Sequence, residues 1–292
     1  MKLRIGSRAS RLAVLQSQWV MNRIRADCPD IELELVTMKT TGDRILDRTL
    51  DQIGGKGLFV KELDQALLEG RVDLTVHSLK DLPMELHPDL PIAAYTKRED
   101  PRDVLVLPIG ASKLDRNRPI GCASRRRAVQ LQSLFPDMAV KPVRGNIQTR
   151  LEKLDDGQYS ALVLAAAGLN RLGLTTRIGR YFSAEEILPA AGQGILAVQS
   201  RGDVDRSVLR SVWDESAAFC AESERAFVRA LDGGCTSPTA AYAVIENGKL
   251  MLTGLYLDDQ KAEMRKGNIS GPPEEGKSLG IALAERLRRN AE

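Results

Sequence analysis

The chain of 292 residues is poor in histidine, cysteine and aromatic side chains, with two histidines, four cysteines and 4% Phe, Trp and Tyr. The cysteines form no CxxC pair and have no histidine close in sequence, which argues against a zinc site and predicts no bound metal. So few aromatic residues argue against a stacking surface for single-stranded nucleic acid. The 42 basic and 39 acidic residues leave a net charge of +3, which gives no general attraction to nucleic acid or anionic membranes.

Long apolar runs are also missing from the chain. The longest one, residues 161–169, is far too short to cross a bilayer. Residues 1–8 are interrupted by charges and contain no apolar signal core. We therefore expect a protein of the reducing cytoplasm, without a membrane partner and with its thiols available for chemistry.

The length and the 43% of hydrophobic residues predict two or three well-packed domains. Strands, loops and helices alternate up to about residue 190, which predicts parallel sheets covered by helices. Segments 98–101 and 189–194 indicate crossovers between domains. From about residue 216 a helix, a hairpin with its turn at Asn247-Gly248, a further strand and a final helix predict a small α+β domain.

Two helices are predicted in more detail. Ser10 is expected to cap the first helix, whose apolar face is predicted to include Leu12, Leu15 and Trp19, with Ile24 as a further candidate. A second helix is predicted over residues 203–213, after a strand at 195–199.

Cationic and hydroxyl side chains recur at predicted strand ends and helix starts. Such positions face a common crevice, where helix N-terminal amides attract anions and arginines offer paired donors to carboxylates or phosphates. A solvated surface position explains any single arginine better, but several at equivalent positions indicate an anion site. The residues are Arg8, Ser10, Thr41, Lys80, Ser124, Arg126, Arg127, Arg144 and Arg150.

Asp81 follows a predicted buried strand, residues 72–76, and precedes Pro83, which cannot continue a helix or a central strand. We therefore expect Asp81 on a loop at the carboxyl end of a strand, where open α/β sheets bind ligands. A single Asp among arginines indicates an anionic ligand that also carries a positive charge during its reaction. A surface Asp that forms a turn explains the loop equally well.

Cys235 differs from the other cysteines in its surroundings. Gly233-Gly234 let the backbone approach closely, and an accessible loop thiol beside a cationic cleft is expected to be reactive. A buried loop cysteine without chemistry is the equal alternative. Cys220 is predicted to pack in a core, Cys28 lies at a helix end, and Cys122 ends a strand beside the arginines.

Motifs in consistent order from the first strand to the final helix resemble the porphobilinogen deaminase family, also called hydroxymethylbilane synthase. They are residues 4–10 (RIGSRAS), 54–63 (GGKGLFVKEL), 76–83 (VHSLKDLP), 98–103 (REDPRD), 144–146 (RGN), 154–157 (LDDG), 167–169 (AGL), 189–194 (PAAGQG) and 233–235 (GGC).

This resemblance implies a transferase of tetrapyrrole and haem biosynthesis. Such an enzyme deaminates four porphobilinogen molecules and couples them head to tail, releasing linear hydroxymethylbilane and four ammonia. The resemblance implies a dipyrromethane cofactor on a thioether at Cys235 and a catalytic role for Asp81. Cofactor contacts are implied for Ser78, Lys80, Asp81, Ser124, Arg126, Arg127, Arg144, Gly145 and Gln193, and substrate contacts for Arg8, Ser10, Arg150, Arg171, Lys56 and Phe59.

The residue pattern agrees with that chemistry. Each pyrrole carries an acetate and a propionate, so a growing chain needs many fixed cations. Loss of ammonia creates a cation that the carboxylate of Asp81 can stabilise in a shielded site. A tether at Cys235 makes each coupling step intramolecular.

The same resemblance implies an α/β fold with two lobes similar to periplasmic binding proteins, a cleft between them and a small α+β C-terminal domain. The expected domains of this monomeric protein are residues 1–97 with 194–214, residues 98–193 and residues 215–292. A non-catalytic anion-binding protein or the sensor domain of a regulator shares such a fold and is the alternative. A protein of that kind would have no function for the Cys235 thiol, and its intact mass would equal the sequence mass.

Overall fold

The computed structural model describes residues 2–44, 60–232, 238–258 and 263–289. The strands there are β1 (Lys2–Arg8), β2 (Glu32–Met38), β3 (Leu74–Ser78), β4 (Ile92–Tyr95), β5 (Asp103–Val106), β6 (Ile120–Gly121), β7 (Val140–Lys141), β8 (Ala161–Ala165), β9 (Ile178–Tyr181), β10 (Leu196–Ser200), β11 (Ala240–Glu246), β12 (Lys249–Asp258) and β13 (Glu263–Gly271). The helices are α1 (Arg11–Asp27), α2 (Thr41–Arg44), α3 (Lys61–Leu68), α4 (Arg125–Leu134), α5 (Ile147–Asp155), α6 (Ala166–Arg171), α7 (Glu215–Ala230) and α8 (Gly276–Arg289). None of these helices is long and apolar enough to cross a membrane.

The strands form three sheets. The first lobe has the order β2-β1-β3-β10-β4, the second has β7-β6-β8-β5-β9, and the C-terminal domain has β11-β12-β13. Each sheet packs against apolar clusters of its own. The predicted fold class, α/β with two lobes and a small α+β C-terminal domain, is confirmed, whereas the domain boundaries stay a prediction.

The expectation of purely parallel sheets is wrong, because one strand in each lobe runs against its neighbours. β1 is parallel to β2 and β3, but β10 is antiparallel to β3 and β4. In the second lobe β5 is antiparallel to β8 and β9. Both strands follow a crossover, and each begins beside the end of a neighbouring strand of its sheet. Leu196 accordingly pairs with Ser78, and Asp103 pairs with Ala165.

Helix α1 begins as predicted but packs through a partly different face. Ser10 caps it by accepting a hydrogen bond from the Ala13 amide. The buried positions are Ala13, Gln16, Ser17, Val20, Met21 and Ile24. This stripe follows the helical period and faces the sheet, whereas Trp19 on another side is 40% exposed and lies under the Arg23 guanidinium. Of the predicted apolar face, Ile24 is buried and Leu12 and Leu15 are partly buried, whereas the prediction for Trp19 is wrong.

The helix predicted over residues 203–213 is reduced to a 3₁₀ turn, Arg206–Leu209. The Asp205 side chain accepts from the Ser207 amide, which favours a short capped turn over a continuing helix. Val208 and Val212 are still buried in the core of the first lobe. The apolar pattern therefore predicted the buried positions correctly but predicted the wrong secondary structure.

The C-terminal domain forms the predicted hairpin. Asn247 (φ 50°) and Gly248 (φ 74°) both have positive φ, as expected for the tight turn that joins β11 to β12. Helices α7 and α8 cover one face of this sheet with a core that includes Cys220, Phe227 and Leu283. The prediction that Cys220 packs in a core is confirmed.

The C-terminal domain also holds the crossovers between the lobes. The buried Glu224 carboxylate on α7 accepts from the Arg98 guanidinium (2.6 Å), the Gly192 amide (2.6 Å) and the Ala243 amide (2.7 Å). Burial by itself raises the pKa of Glu224, while Arg98 opposes that effect. Both crossovers therefore meet one carboxylate of the third domain.

Candidate active site

A cavity of about 700 Å³ lies between the two lobes. The ends of β1 and β3 supply one wall, the starts of α5 and α6 supply the other, and the second crossover crosses between them. Of the side chains implied by resemblance, those that line the cavity are Arg8, Ser10, Ser78, Lys80, Asp81, Arg127, Arg144, Gly145, Arg150, Arg171 and Gln193. The structure thus brings together residues from distant parts of the chain.

Other implied residues lie elsewhere. Ser124 is the N-cap position of α4, and Arg126 on that helix is 3% exposed behind the cavity wall. Lys56, Phe59 and Cys235 lie outside the described residues. Cys122 packs in the core of the second lobe rather than beside the ligand space.

Asp81 ends a 3₁₀ turn, Leu79–Asp81, which directly follows β3. The flanking Leu79 and Leu82 side chains are fully buried, and the Leu79 amide donates to the Ile195 carbonyl (3.0 Å). Apolar anchors on both sides and a backbone bond to the crossover therefore fix the turn. Among the described residues that line the cavity, Asp81 supplies the only carboxylate.

Asp103 is the centre of a buried charge network that supports the second wall. Its carboxylate accepts from Arg126 Nη2 (2.8 Å), Arg127 Nη2 (2.7 Å), Arg127 Nε (3.0 Å) and Gln193 Nε2 (2.9 Å). Burial alone would raise the pKa of Asp103, but the charges of Arg126 and Arg127 outweigh burial and lower it. Asp103 therefore stays ionised and holds both arginines in place.

We expect Asp103→Asn to lower the free energy of unfolding by about 3–5 kcal/mol, because it leaves two buried guanidinium groups without an ionised partner. Thermal unfolding monitored by circular dichroism measures the effect. The control is Asp203→Asn, whose carboxylate is 69% exposed beside Arg201 and should contribute about 1 kcal/mol or less. Equal melting temperatures for the two variants would contradict the structural role of Asp103.

Gln193 connects the two lobes inside the cavity. Its Nε2 donates to the Pro101 carbonyl (2.6 Å) and to Asp103, while its Oε1 accepts from Lys80 of the first lobe (3.3 Å). Gly194 (φ 92°) must be glycine, because a Cβ there would collide with the Glu99 carbonyl of the other crossover. Burial, with the nearby Arg127, lowers the pKa of Lys80 to about 8.

The second wall carries guanidinium groups with few protein acceptors. Arg150 Nε donates to the Gly145 carbonyl (2.7 Å), and Arg171 Nη2 donates to the Gly194 carbonyl (2.6 Å). Burial lowers the pKa of Arg150 to about 10, and Arg127 and Arg144 add to this effect by repulsion. The cavity thus concentrates positive charge, which favours a ligand with several carboxylates.

Sequence reasoning missed several residues of this site. Lys39, Gln16 and Gln148 line the cavity, and Gln16 Nε2 donates to Ser78 Oγ (3.0 Å). Gln16 lies inside α1, away from the strand ends and helix starts on which the prediction relied, whereas Gln148 lies at the start of α5 but is uncharged and was not among the cationic and hydroxyl side chains considered. Asp103 was part of the quoted motif at 98–103, and its place directly after a crossover was the available signal. Among the residues that the structure describes, no cluster of His, Cys, Asp or Glu side chains could hold a metal ion.

In this two-lobed α/β fold, the described residues that line the cavity carry many cations and one carboxylate, which suits a protein that binds anionic small molecules. Two family models match the chain: "porphobilinogen deaminase, dipyromethane cofactor binding domain" over residues 3–209, and "porphobilinogen deaminase, C-terminal domain" over residues 218–289. The chain belongs to the porphobilinogen deaminase family, which confirms the resemblance stated from its motifs.

Curated relatives agree over the full length. The porphobilinogen deaminase of Acetivibrio thermocellus is 56% identical over 292 residues and covers 100% of both chains. That of Chromobacterium violaceum is 46% identical and covers 98% of this chain and 94% of its own. These relatives are enzymes, and they disfavour the alternative of a non-catalytic binding protein.

Solved structures of two-lobed binding domains are more distant. The periplasmic aliphatic sulphonate binding protein SsuA from Escherichia coli is 11% identical, with a TM-score of 0.41 over 79% of this chain and 70% of its own. The BenM effector binding domain with its effector benzoate is 15% identical, with a TM-score of 0.42 over 72% and 88%.

Proposed function

We propose that this chain is a hydroxymethylbilane synthase that deaminates and couples four porphobilinogen molecules into linear hydroxymethylbilane. The observation that carries the proposal is the similarity to the porphobilinogen deaminase of Acetivibrio thermocellus, which is 56% identical over 292 residues. The cavity supports it, because its many cations and the one carboxylate among its described lining residues suit a substrate with two carboxylates that becomes cationic when it loses ammonia.

The residues present fit the dipyrromethane cofactor that the matching family model names. The cavity has cations from both lobes, and two of its buried donors, Arg144 Nε and Gln148 Nε2, have no hydrogen-bond partner in the described part of the chain. We propose that a thioether at Cys235 attaches this cofactor. When bound, it supplies the covalent primer for the pyrrole chain.

Distinct residues are proposed for cofactor and substrate. The cofactor would be held by Ser78, Lys80, Asp81, Ser124, Arg126, Arg127, Arg144, Gly145 and Gln193, and substrate would be bound by Arg8, Ser10, Arg150, Arg171, Lys56 and Phe59. Asp81 has the catalytic role: its carboxylate accepts hydrogen bonds from pyrrole N–H groups and stabilises the charge left by departing ammonia. The buried leucines beside it hold the turn in one geometry.

We further propose that the protein is a cytoplasmic monomer without a nucleic-acid or membrane partner. Its domains would comprise residues 1–97 with 194–214, residues 98–193, and residues 215–292. Light scattering during size-exclusion chromatography tests the monomer, for which the expected mass is close to 32.0 kDa.

Two measurements on the purified protein test the function. Incubation with porphobilinogen should release one ammonia for each molecule consumed and yield linear hydroxymethylbilane. Intact mass under denaturing conditions should exceed the sequence mass by two linked pyrrole units. A protein with the bare sequence mass that leaves porphobilinogen unchanged would refute the proposal in favour of a binding protein.

The arginines allow a separate prediction about loading and elongation. Arg126→Leu or Arg127→Leu should lower the fraction of cofactor-loaded protein by about tenfold or more, because each loses charge-assisted bonds at the Asp103 network. Arg8→Leu or Arg150→Leu should leave loading nearer normal and stall elongation, so that trapped intermediates accumulate. Mass spectra with limiting porphobilinogen measure both quantities. The same loading and the same intermediates in all four variants would rule out this division.

A further inference from the structure

The wall formed by the start of α5 presents two donors that the protein itself leaves unused. Arg144 Nε and Gln148 Nε2 are buried, and neither has a hydrogen-bond partner among the described residues. Both side chains line the 700 Å³ cavity. A buried polar group without a partner costs roughly 1–3 kcal/mol, and such groups are rare in native structures. A ligand acceptor is the direct physical explanation for two of them in one cavity wall.

Local structure holds these side chains in place. Asn146 caps α5 by accepting from the Thr149 amide (2.9 Å), which puts Gln148 in the first helical turn. Gly145 turns the chain just before the cap with φ +114°, and a Cβ there would come within 2.8 Å of Thr149. Arg144 and Gln148 therefore flank a tight, preformed turn.

The charge around Gln148 identifies the kind of acceptor. Arg127 is paired with the ionised Asp103, whereas the Arg150 side chain donates to the neutral Gly145 carbonyl. Burial is the main cause of the lowered pKa of Arg150, and repulsion from Arg127 and Arg144 adds to it. An acceptor placed among these groups is strongly favoured if it is negatively charged. A carboxylate meets that requirement.

We propose that Gln148 is a substrate-binding residue that donates through Nε2 to a carboxylate of the bound pyrrole chain, beside the guanidinium groups of Arg144 and Arg150. This assignment rests on the proposed function, which supplies a ligand with carboxylates on every ring. It adds a neutral, directional donor to a wall that carries the guanidinium groups of Arg144 and Arg150. The N–H bonds of the amide have fixed directions, so such a donor sets the position of the carboxylate without adding charge.

The reversed amide is the physical alternative. If the amide group is turned over, Oε1 faces the cavity and accepts from a pyrrole N–H instead. The two orientations respond oppositely to a negative charge at position 148. A carboxylate there repels a ligand carboxylate but accepts from a pyrrole N–H at least as well as the amide does.

The test uses Gln148→Glu and Gln148→Met, which keep the length of the side chain. All three residues are good helix formers, so the fold should be preserved. The Glu variant should even gain stability, because a carboxylate in the first turn of α5 interacts favourably with the helix dipole. The same substitutions at Gln132, an exposed position on α4 outside the cavity, are the matched controls.

For Gln148→Met we expect KM for porphobilinogen to rise about tenfold, because a charge-assisted hydrogen bond is lost. For Gln148→Glu we expect a rise of about a hundredfold, because repulsion between two carboxylates is added to that loss. The melting temperature of the Glu variant should be unchanged or higher than that of the wild type. Intact mass at limiting porphobilinogen should show a smaller fraction of chain-extended protein in both variants than in the wild type. If Gln148 had only a structural role, the substitutions would lower the melting temperature together with the affinity for porphobilinogen.

Two results would overturn the proposal. KM within twofold of the wild type in both variants would show that Gln148 does not contact substrate. A normal or lower KM in the Glu variant alone would assign the position to a pyrrole N–H and not to a carboxylate. Wild-type protein that leaves porphobilinogen unchanged would instead refute the proposed function, so the two failures are distinguishable.

Discussion

Asp81→Asn is expected to carry its covalent cofactor and to lose at least about a hundredfold in turnover. The substitution keeps the size of the side chain and part of its hydrogen bonding, but it removes the only carboxylate that lines the cavity among the described residues. Positive charge that develops on the substrate when ammonia leaves would then face Lys80 and several arginines without compensation. Removing one preorganised electrostatic group from an active site typically costs on the order of 10²–10³ in rate.

Intact mass and steady-state turnover of the same preparation separate loading from catalysis. The loaded fraction should match the wild type, since the buried Leu79 and Leu82 anchor the turn that carries Asp81. Asp203→Asn, an exposed change of the same chemistry, controls for the loss of one negative charge. Near-normal turnover of fully loaded Asp81→Asn would remove Asp81 from its catalytic role.

The features that could be predicted from sequence depend on local chemistry. Ser10 was recognised as a helix cap, and its bond to the Ala13 amide spans three residues. The pair Asn247-Gly248 predicted a tight turn, because both residues tolerate positive φ. The position of Asp81 followed from a buried strand and a nearby proline. Each of these rules needs only a few neighbouring residues.

The features that could not be predicted depend on contacts between distant residues. Asp103 meets Arg127 across 24 positions and Gln193 across 90, and no local pattern indicates such pairs. The antiparallel direction of β10 follows from the edge at which the crossover re-enters the sheet. The exposure of Trp19 depends on which side of α1 meets the sheet, and both sides carry apolar residues. Long-range packing decided each of these cases.

Cys235→Ser is expected to fold, to have the bare mass of its sequence and to be almost inactive. A thioether requires sulfur, so the serine hydroxyl cannot replace it. Without the tether, each coupling would lose the advantage of an intramolecular reaction, for which effective concentrations of about 10⁵ M or more are known in well-oriented systems. Residue 235 itself lies outside the described part of the chain, and the assignment rests on the family motif and on the chemistry of the other cysteines.

The other three cysteines are poor candidates for this role. Burial raises the pKa of Cys220 to about 11, and the nearby Glu224 adds to the effect, so its thiol stays protonated within the core of the C-terminal domain. Burial also raises the pKa of Cys122, which packs in the second lobe. Cys28 follows α1 as its C-cap and does not line the cavity. The two buried thiols of Cys122 and Cys220 therefore favour the protonated form, and Cys28 lies away from the cavity.

Peptide mapping of the active wild-type protein decides between the four positions. The mass excess should lie on the peptide that contains Cys235, and Cys220→Ser or Cys28→Ser should keep both the excess and the activity. Cys28→Ser is the cleaner control, because its half-buried thiol at the end of α1 has no core to disturb. An unmodified Cys235 in active enzyme would overturn the attachment site, while an adduct that persists in Cys235→Ser would move it to another residue. The cationic cavity would remain in either case, since none of its described cations depends on that thiol.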